Sequence, residues 1–163
     1  MDRASSDPNW IATAVAAHER ALRSYVIHLL GSQDEAGDIV QEAFARLCQQ
    51  GQRDVSLPEW LFVVCRNLSI DRMRKERRMS LLDVKQSEPI TEERPSMRIE
   101  RADESKQLLD LLGDLPPRQQ EAIRLKFQHE MSYQQIANVM NASVNNVGVL
   151  IHTGLKTLRE KMK

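Results

Sequence analysis

The chain has 163 residues, 41 % of them hydrophobic and 28 % charged, with 23 Lys and Arg set against 23 Asp and Glu. That length allows one average domain or two small ones, and the balanced charge excludes a protein that holds nucleic acid by bulk cationic excess alone. Aromatics are only 4 % of the chain, and β-branched or aromatic runs bounded by turn residues are scarce, so the expected fold is all-α.

The first nine residues are polar and lack the apolar core of a signal peptide. They are expected to form a flexible tail, residues 1–9. From Trp10 to about Leu30 the apolar residues Ile11, Val15, Leu22, Val26, Leu29 and Leu30 recur at helical spacing. Gly31-Ser32 breaks the pattern. Asp34 is placed to cap or charge-complement the next helix, because carboxylates favour a helix N-terminus. That helix carries Ile39, Val40, Ala43, Phe44 and Leu47 on one face and ends near Gln50-Gly51.

A polar loop over 51–58 closes on Pro58, which suits a first helical turn. The third helix carries Trp60, Leu61, Val63, Val64, Leu68, Ile70 and Met73, then passes into a basic run from Arg72 to Arg78. Residues 10–79 therefore read as one helical domain. Over 80–103 the periodicity weakens, and Pro89, Pro95 and several carboxylates indicate a linker. A second helical domain is expected over 104–163. Leu108, Leu109, Leu111 and Leu112 open it, Pro117 begins the next helix, and Ala122, Ile123, Leu125 and Phe127 follow.

The last stretch is the most informative. Ser132 is placed as an N-cap for a short helix with Ile136, Ala137, Val139 and Met140 on its inner face. Asn141-Ala142-Ser143 makes a turn, with Ser143 as a second N-cap. In the final helix Val147, Ile151, Gly154 and Leu158 form one stripe. A short helix, a brief turn and a longer helix with one buried stripe is the helix-turn-helix pattern, in which the second helix enters the DNA major groove. Asn145, Asn146, Val149, His152, Thr153 and Lys156 lie off the stripe. Asn pairs with adenine and an apolar group meets a thymine methyl; Arg159 is better placed for phosphate. Two helices packing only on each other would show the same stripe.

Charge is segregated along the neutral chain, with acidic residues over Asp34 to Glu42 and basic ones over Arg66 to Arg78. Such segregation indicates separate surfaces for separate partners, or solvated faces. Cys48 and Cys65 are expected to be small buried apolar residues in a reducing compartment. His18, His28, His129 and His152 have no ligand spacing among themselves or with the cysteines, so no metal site is expected. No glycine-rich phosphate loop, nucleophile-and-base pair or membrane span of about 20 apolar residues is found. The expected location is the cytoplasm.

Several segments together resemble the extracytoplasmic-function (ECF) sigma factors. Asp34-Glu-Ala-Gly-Asp38-Ile-Val-Gln41-Glu-Ala-Phe44 is similar to the family's Asp-x-x-x-Asp-x-x-Gln-x-x-Phe helix. Trp60-Leu through Arg66-Asn67-Leu-Ser-Ile-Asp71-Arg-Met-Arg74 is similar to its Trp-Leu…Arg-Asn-x-x-Ile-Asp-x-x-Arg segment. Leu115-Pro116, Ser132 to Ala137 and Leu155 to Arg159 match its last domain. The resemblance implies two small helical domains joined by a linker, the C-terminal one a helix-turn-helix, with no enzymatic activity and no cofactor. It implies docking of Asp34, Asp38, Gln41, Glu42 and Phe44 on the beta-prime clamp helices of core RNA polymerase, and a further contact with the beta flap. It implies minus-ten promoter recognition by Trp60, Arg66, Asn67, Arg72, Arg74, Lys75, Arg77 and Arg78, where a base flipped from strand-separated DNA costs least to unstack. It implies minus-thirty-five recognition by Ser143, Asn145, Asn146, Val149, His152, Thr153, Lys156 and Arg159. An anti-sigma factor is the further expected partner.

The chain departs from the family in two places. Asn145-Asn146 stands where Gly-Thr is usual, and Gly148, Val149, Leu150 and Thr153 stand where basic residues and Ser are common. Gly37 replaces a common acidic residue. The expectation is a different minus-thirty-five contact, with Asn145, Asn146 and His152 reading bases; the competing one is that Val149, Leu150 and Leu155 bind protein. A stand-alone helix-turn-helix regulator would not need the first domain, and a sigma-fold interaction module would have lost its DNA contact.

Overall fold

The computed structural model describes residues 9–51, 56–82 and 103–162, and among them every regular element is helical. The chain divides into two compact units, Met1–Ser96 and Met97–Lys163. The expected tail and linker lie outside the described residues except at their edges. α3 runs on to Leu82 and α4 begins at Asp103, because Met79-Ser-Leu-Leu82 holds no helix breaker.

The first unit is built from α1 (Trp10–Leu30), α2 (Gln33–Gln50) and α3 (Leu57–Leu82). α1 ends where Gly31 takes a left-handed φ of 75° and its N–H reaches the Ile27 carbonyl at 2.7 Å. Ser32, rather than Asp34, caps α2: its Oγ accepts from the Glu35 N–H at 3.3 Å. Asp34 and Glu35 occupy the first turn, where they complement the helix dipole. Leu22, Tyr25 and Val26 from α1 meet Ile39, Val40, Ala43, Phe44 and Leu47 from α2 and Leu61, Phe62 and Cys65 from α3. The Tyr25 and Phe62 rings pack tilted, with centroids 5.1 Å apart. No residue of α3 beyond Ser69 is buried, so its C-terminal third projects from this core.

The second unit is built from α4 (Asp103–Gly113), α5 (Pro117–Ile123), a π turn (Arg124–Gln128), α6 (Tyr133–Met140) and α7 (Val144–Lys161). In the π turn the His129 N–H bonds back to the Arg124 carbonyl at 3.1 Å, one residue further than in an α-helix. The wider turn carries Phe127 outward, and 60 % of it is exposed, against the expectation that it would join the apolar face. α6 starts with a full capping box between Ser132 and Gln135. It ends at Asn141, whose left-handed φ of 53° opens the turn into α7. Ser143 caps α7 by accepting from the Asn146 N–H at 3.0 Å.

Candidate functional site

α2 turns through about 100° per residue, so the buried residues Ala36, Ile39, Val40, Ala43, Phe44 and Leu47 fill one arc. Asp34, Asp38, Gln41, Ala45 and Cys48 fall on a narrow strip opposite it, and all five are exposed. Glu42 flanks the strip and is held by Arg46, Nε to Oε1 at 3.3 Å. Among the described residues neither Asp34 nor Asp38 forms an ion pair. Phe44 is not on this surface. At 7 % exposure it belongs to the core face of α2. Cys48 also departs from expectation, since it is exposed whereas Cys65 is buried.

Glu35 lies on the edge of α2 that faces α3. Its carboxyl is held above the usual carboxylate range by a hydrogen bond with Glu76, then by burial and by the Glu76 charge, with Arg72 acting in the opposite sense. A raised carboxyl pKa means that protonation favours the folded state, so this crossing of α2 and α3 tightens as pH falls.

The sequence-derived basic set on α3 separates into two groups. Arg74, Lys75, Arg77 and Arg78 are exposed and Arg72 is half-buried, on the part of α3 that leaves the core. Asn67 is exposed one turn earlier, and Trp60 is half-buried near the start. Arg66 is a correction: only 9 % of it is exposed, because it follows Leu61, Phe62 and Cys65 onto the packed side. Consecutive helical residues point about 100° apart, so Arg66 and Asn67 do not share a face.

On α7 the inner stripe is Val147, Ile151, Gly154 and Leu158, as expected. Ser143, Asn145, Asn146, Val149, His152, Thr153, Lys156 and Arg159 are all exposed. Val149 is 54 % exposed, while Leu150 and Leu155 are half-buried. Two residues not singled out in the sequence join this end of the unit. Lys126 Nζ stands 5.4 Å from the Tyr133 ring centroid, a cation–π distance. The π turn brings them together, and helical periodicity carries no sign of it.

His129, between the π turn and α6, has its imidazole pushed down to about 4, first by burial and then by the Arg124 charge. Its unfolded value is near 6.5. The neutral ring is therefore favoured in the fold, and stability is complete above about pH 6.5 and lost as pH falls from there toward 4. After discounting for partial exposure the loss is on the order of 2 kcal/mol. Urea titrations followed by far-UV circular dichroism at pH 7 and pH 4.5 check this. His129→Gln should flatten that limb, and an unchanged limb counts against the assignment.

The architecture is that of a two-unit helical transcription factor with a C-terminal helix-turn-helix, and the comparisons with known proteins identify its family. The Sigma-70 region 2 family model matches residues 14–79, and the Sigma-70, region 4 model matches residues 105–158. The ECF RNA polymerase sigma factor EcfG of Rhodopseudomonas palustris is 31 % identical over 131 residues, covering 78 % of this chain and 71 % of that one. SigW of Bacillus subtilis is 28 % identical over 170 residues, covering 96 % and 91 %. In fold, the chain is similar to the sigma factor RpoE solved with the anti-sigma factor NepR from Bartonella quintana, with a TM-score of 0.74, 22 % identity and 93 % and 96 % coverage. It is also similar to CnrH solved with the cytosolic domain of CnrY, with a TM-score of 0.65, 22 % identity and 98 % and 91 % coverage. The chain belongs to the ECF RNA polymerase sigma factor family. It is a promoter-recognition factor for transcription initiation and not an enzyme. No described helix is long and apolar enough to cross a membrane.

Proposed function

We propose that this sigma factor docks on the polymerase clamp helices through the exposed strip of α2, reads the minus-ten element with α3 and reads the minus-thirty-five element with α7. The observation that carries the docking assignment is the strip itself. Asp34, Asp38 and Gln41 converge on one exposed surface, and neither carboxylate is neutralised within the described chain. Carboxylates without an internal partner suit a surface rich in arginine. On α3 the working set is Asn67 for a base edge and Arg72, Arg74, Lys75, Arg77 and Arg78 for phosphates. Arg66 is left to packing.

On α7, Asn145, Asn146 and His152 read base edges, Val149 meets a thymine methyl, and Lys156, Arg159 and Lys126 meet phosphates. The exposure of Val149 beside three polar side chains supports base contact over a continuous apolar docking stripe, because Leu150 and Leu155 are partly covered by the chain itself. The factor works in the cytoplasm, where core polymerase is found. An anti-sigma factor is its further partner, a reading supported by the RpoE neighbour, which was solved with NepR.

Cys48 supplies the test. It lies on the same strip as Asp38 and is exposed, while burial pushes the Cys65 thiol up to about 12, so Cys65 stays unreactive in the folded protein. Maleimide should label one thiol in the free chain. Core RNA polymerase should slow that labelling on the order of tenfold or more, by excluding solvent from the strip. Unprotected Cys48 in a complex that co-elutes would place the docking surface elsewhere.

A further inference from the structure

A recognition helix enters the groove with its N-terminal residues foremost, and that end of α7 carries no cation of its own. The sequence holds no Lys or Arg from Phe127 to Leu155, and Lys156 lies eight residues past Gly148, about 12 Å along the helix axis. A cation reaches this end from outside α7. Lys126, in the π turn, has its Nζ over the Tyr133 ring, 5.4 Å from the centroid. Tyr133 in turn is seated against α7, where its Cε2 and Cδ2 stand 3.6 and 4.0 Å from the place a Gly148 Cβ would take. Alanine would fit there, but a longer side chain would compete with the ring for the same space. Gly148 shares a helix face with Asn145, three residues before it, and His152, four after it. The ring therefore stands beside two side chains assigned to base edges. The backbone fixes both partners of the pair: the His129 N–H bonds to the Arg124 carbonyl and the Met131 N–H to the Leu125 carbonyl, each at 3.1 Å, and the Ser132–Gln135 capping box sets the first turn of α6, which Tyr133 opens. Tyr133 is 39 % exposed and Lys126 half-buried, so both reach the surface.

We infer that Tyr133 is a positioning residue of the minus-thirty-five contact: its ring, seated against Gly148, holds the Lys126 ammonium at the edge of α7 for a DNA phosphate beside the bases that Asn145 and His152 meet. The inference rests on the assignment of α7 to DNA above. The pair supplies the cation that the front of the helix lacks. Phosphate contacts fix register and orientation and carry no sequence information, so the pair governs how firmly α7 is seated and not which bases it reads.

The test uses the full chain assembled with core RNA polymerase. Its probes are a promoter duplex selected with that holoenzyme from a random pool and the same duplex with the minus-thirty-five element scrambled. Lys126→Gln should lower the slope of log affinity against log salt by about one and weaken both duplexes by the same factor. Tyr133→Leu should weaken both by roughly threefold, the worth of an exposed cation–π pair, and cause no further loss in the Lys126→Gln background. Tyr133→Phe keeps the ring face and should bind like the parent. An unchanged salt slope in Lys126→Gln overturns the inference. So does a loss from Tyr133→Leu that persists undiminished without Lys126, and so does a Tyr133→Phe as weak as Tyr133→Leu, which would put the hydroxyl rather than the ring to work. Asn145→Ala, measured alongside, should weaken the selected duplex alone and separates the two levels. If it and Lys126→Gln both leave binding intact, the assignment of α7 to DNA fails. If it weakens the selected duplex while Lys126→Gln is silent, only the role of the Lys126–Tyr133 pair fails.

Discussion

Asp38→Arg is expected to abolish stable binding to core RNA polymerase while leaving the fold intact. Asp38 is exposed in the middle of the α2 strip and makes no ion pair among the described residues. Replacing it removes one attraction and adds a repulsion to a basic surface. Reversal at a charged interface costs about 3 kcal/mol, roughly a hundredfold in Kd. The fold should tolerate the change, since surface substitutions of this kind stay within about 0.5 kcal/mol. An arginine there also moves a positive charge toward Glu35, whose carboxyl is crowded by Glu76 and by Asp38 itself. Co-elution on size exclusion, with circular dichroism as the folding control, measures the outcome. Undiminished co-elution of the variant would remove α2 from the interface.

Gly154→Val is expected to destabilise the second unit by about 3 kcal/mol, the upper part of the range for overpacking a dense core. Gly154 is buried where α7 crosses α5. A Cβ there would stand 2.5 Å from Ile123 Cδ1 and 3.5 Å from both Gln119 Cβ and Leu115 Cδ1. Ile123 and Leu115 are themselves buried, at 5 % and 4 % exposure. The end of Ile123 can swing partly aside for Ala, so Gly154→Ala should be milder, whereas a branched side chain also meets Gln119 and Leu115. A unit this small holds only a few kcal/mol in reserve. Gly148 is the control. A Cβ there meets the Tyr133 ring at an ordinary 3.6 Å, so Gly148→Ala should stabilise α7 by up to about 1 kcal/mol. Trp10 and Trp60 both lie in the first unit. Tryptophan fluorescence should therefore keep its thermal transition in Gly154→Val while far-UV circular dichroism loses an early fraction of helix. Coincident, unshifted transitions would show that the crossing has room to spare.

Much of this protein is legible from spacing and capping. The stripe Val147, Ile151, Gly154 and Leu158 was readable as the inner face of α7, and the exposed set from Ser143 to Arg159 follows as its complement. Ser132 and Ser143 announce their helices because a hydroxyl three residues before a backbone N–H satisfies a donor the helix leaves open. The α2 strip follows in the same way from the five core positions between Ile39 and Leu47. Of the two roles open to Asp34 at the start of α2, the cap falls to Ser32 and the charge complement in the first turn to Asp34.

By itself, the sequence determined the all-helical class, the order of the helices and which side of α2 and α7 is apolar, because periodicity is a local property of the backbone. Only the tertiary structure decided what each edge of a helix meets. It buried Arg66, exposed Cys48 and Phe127, and brought Lys126 to Tyr133 through a π turn. It also gave the glycines different meanings: Gly154 is required by a close crossing, whereas Gly148 and Gly37 would meet only ordinary contacts with a Cβ. The reason is geometric. A helix fixes the angle between its own residues, but the neighbour at a given angle is chosen by how separate helices pack.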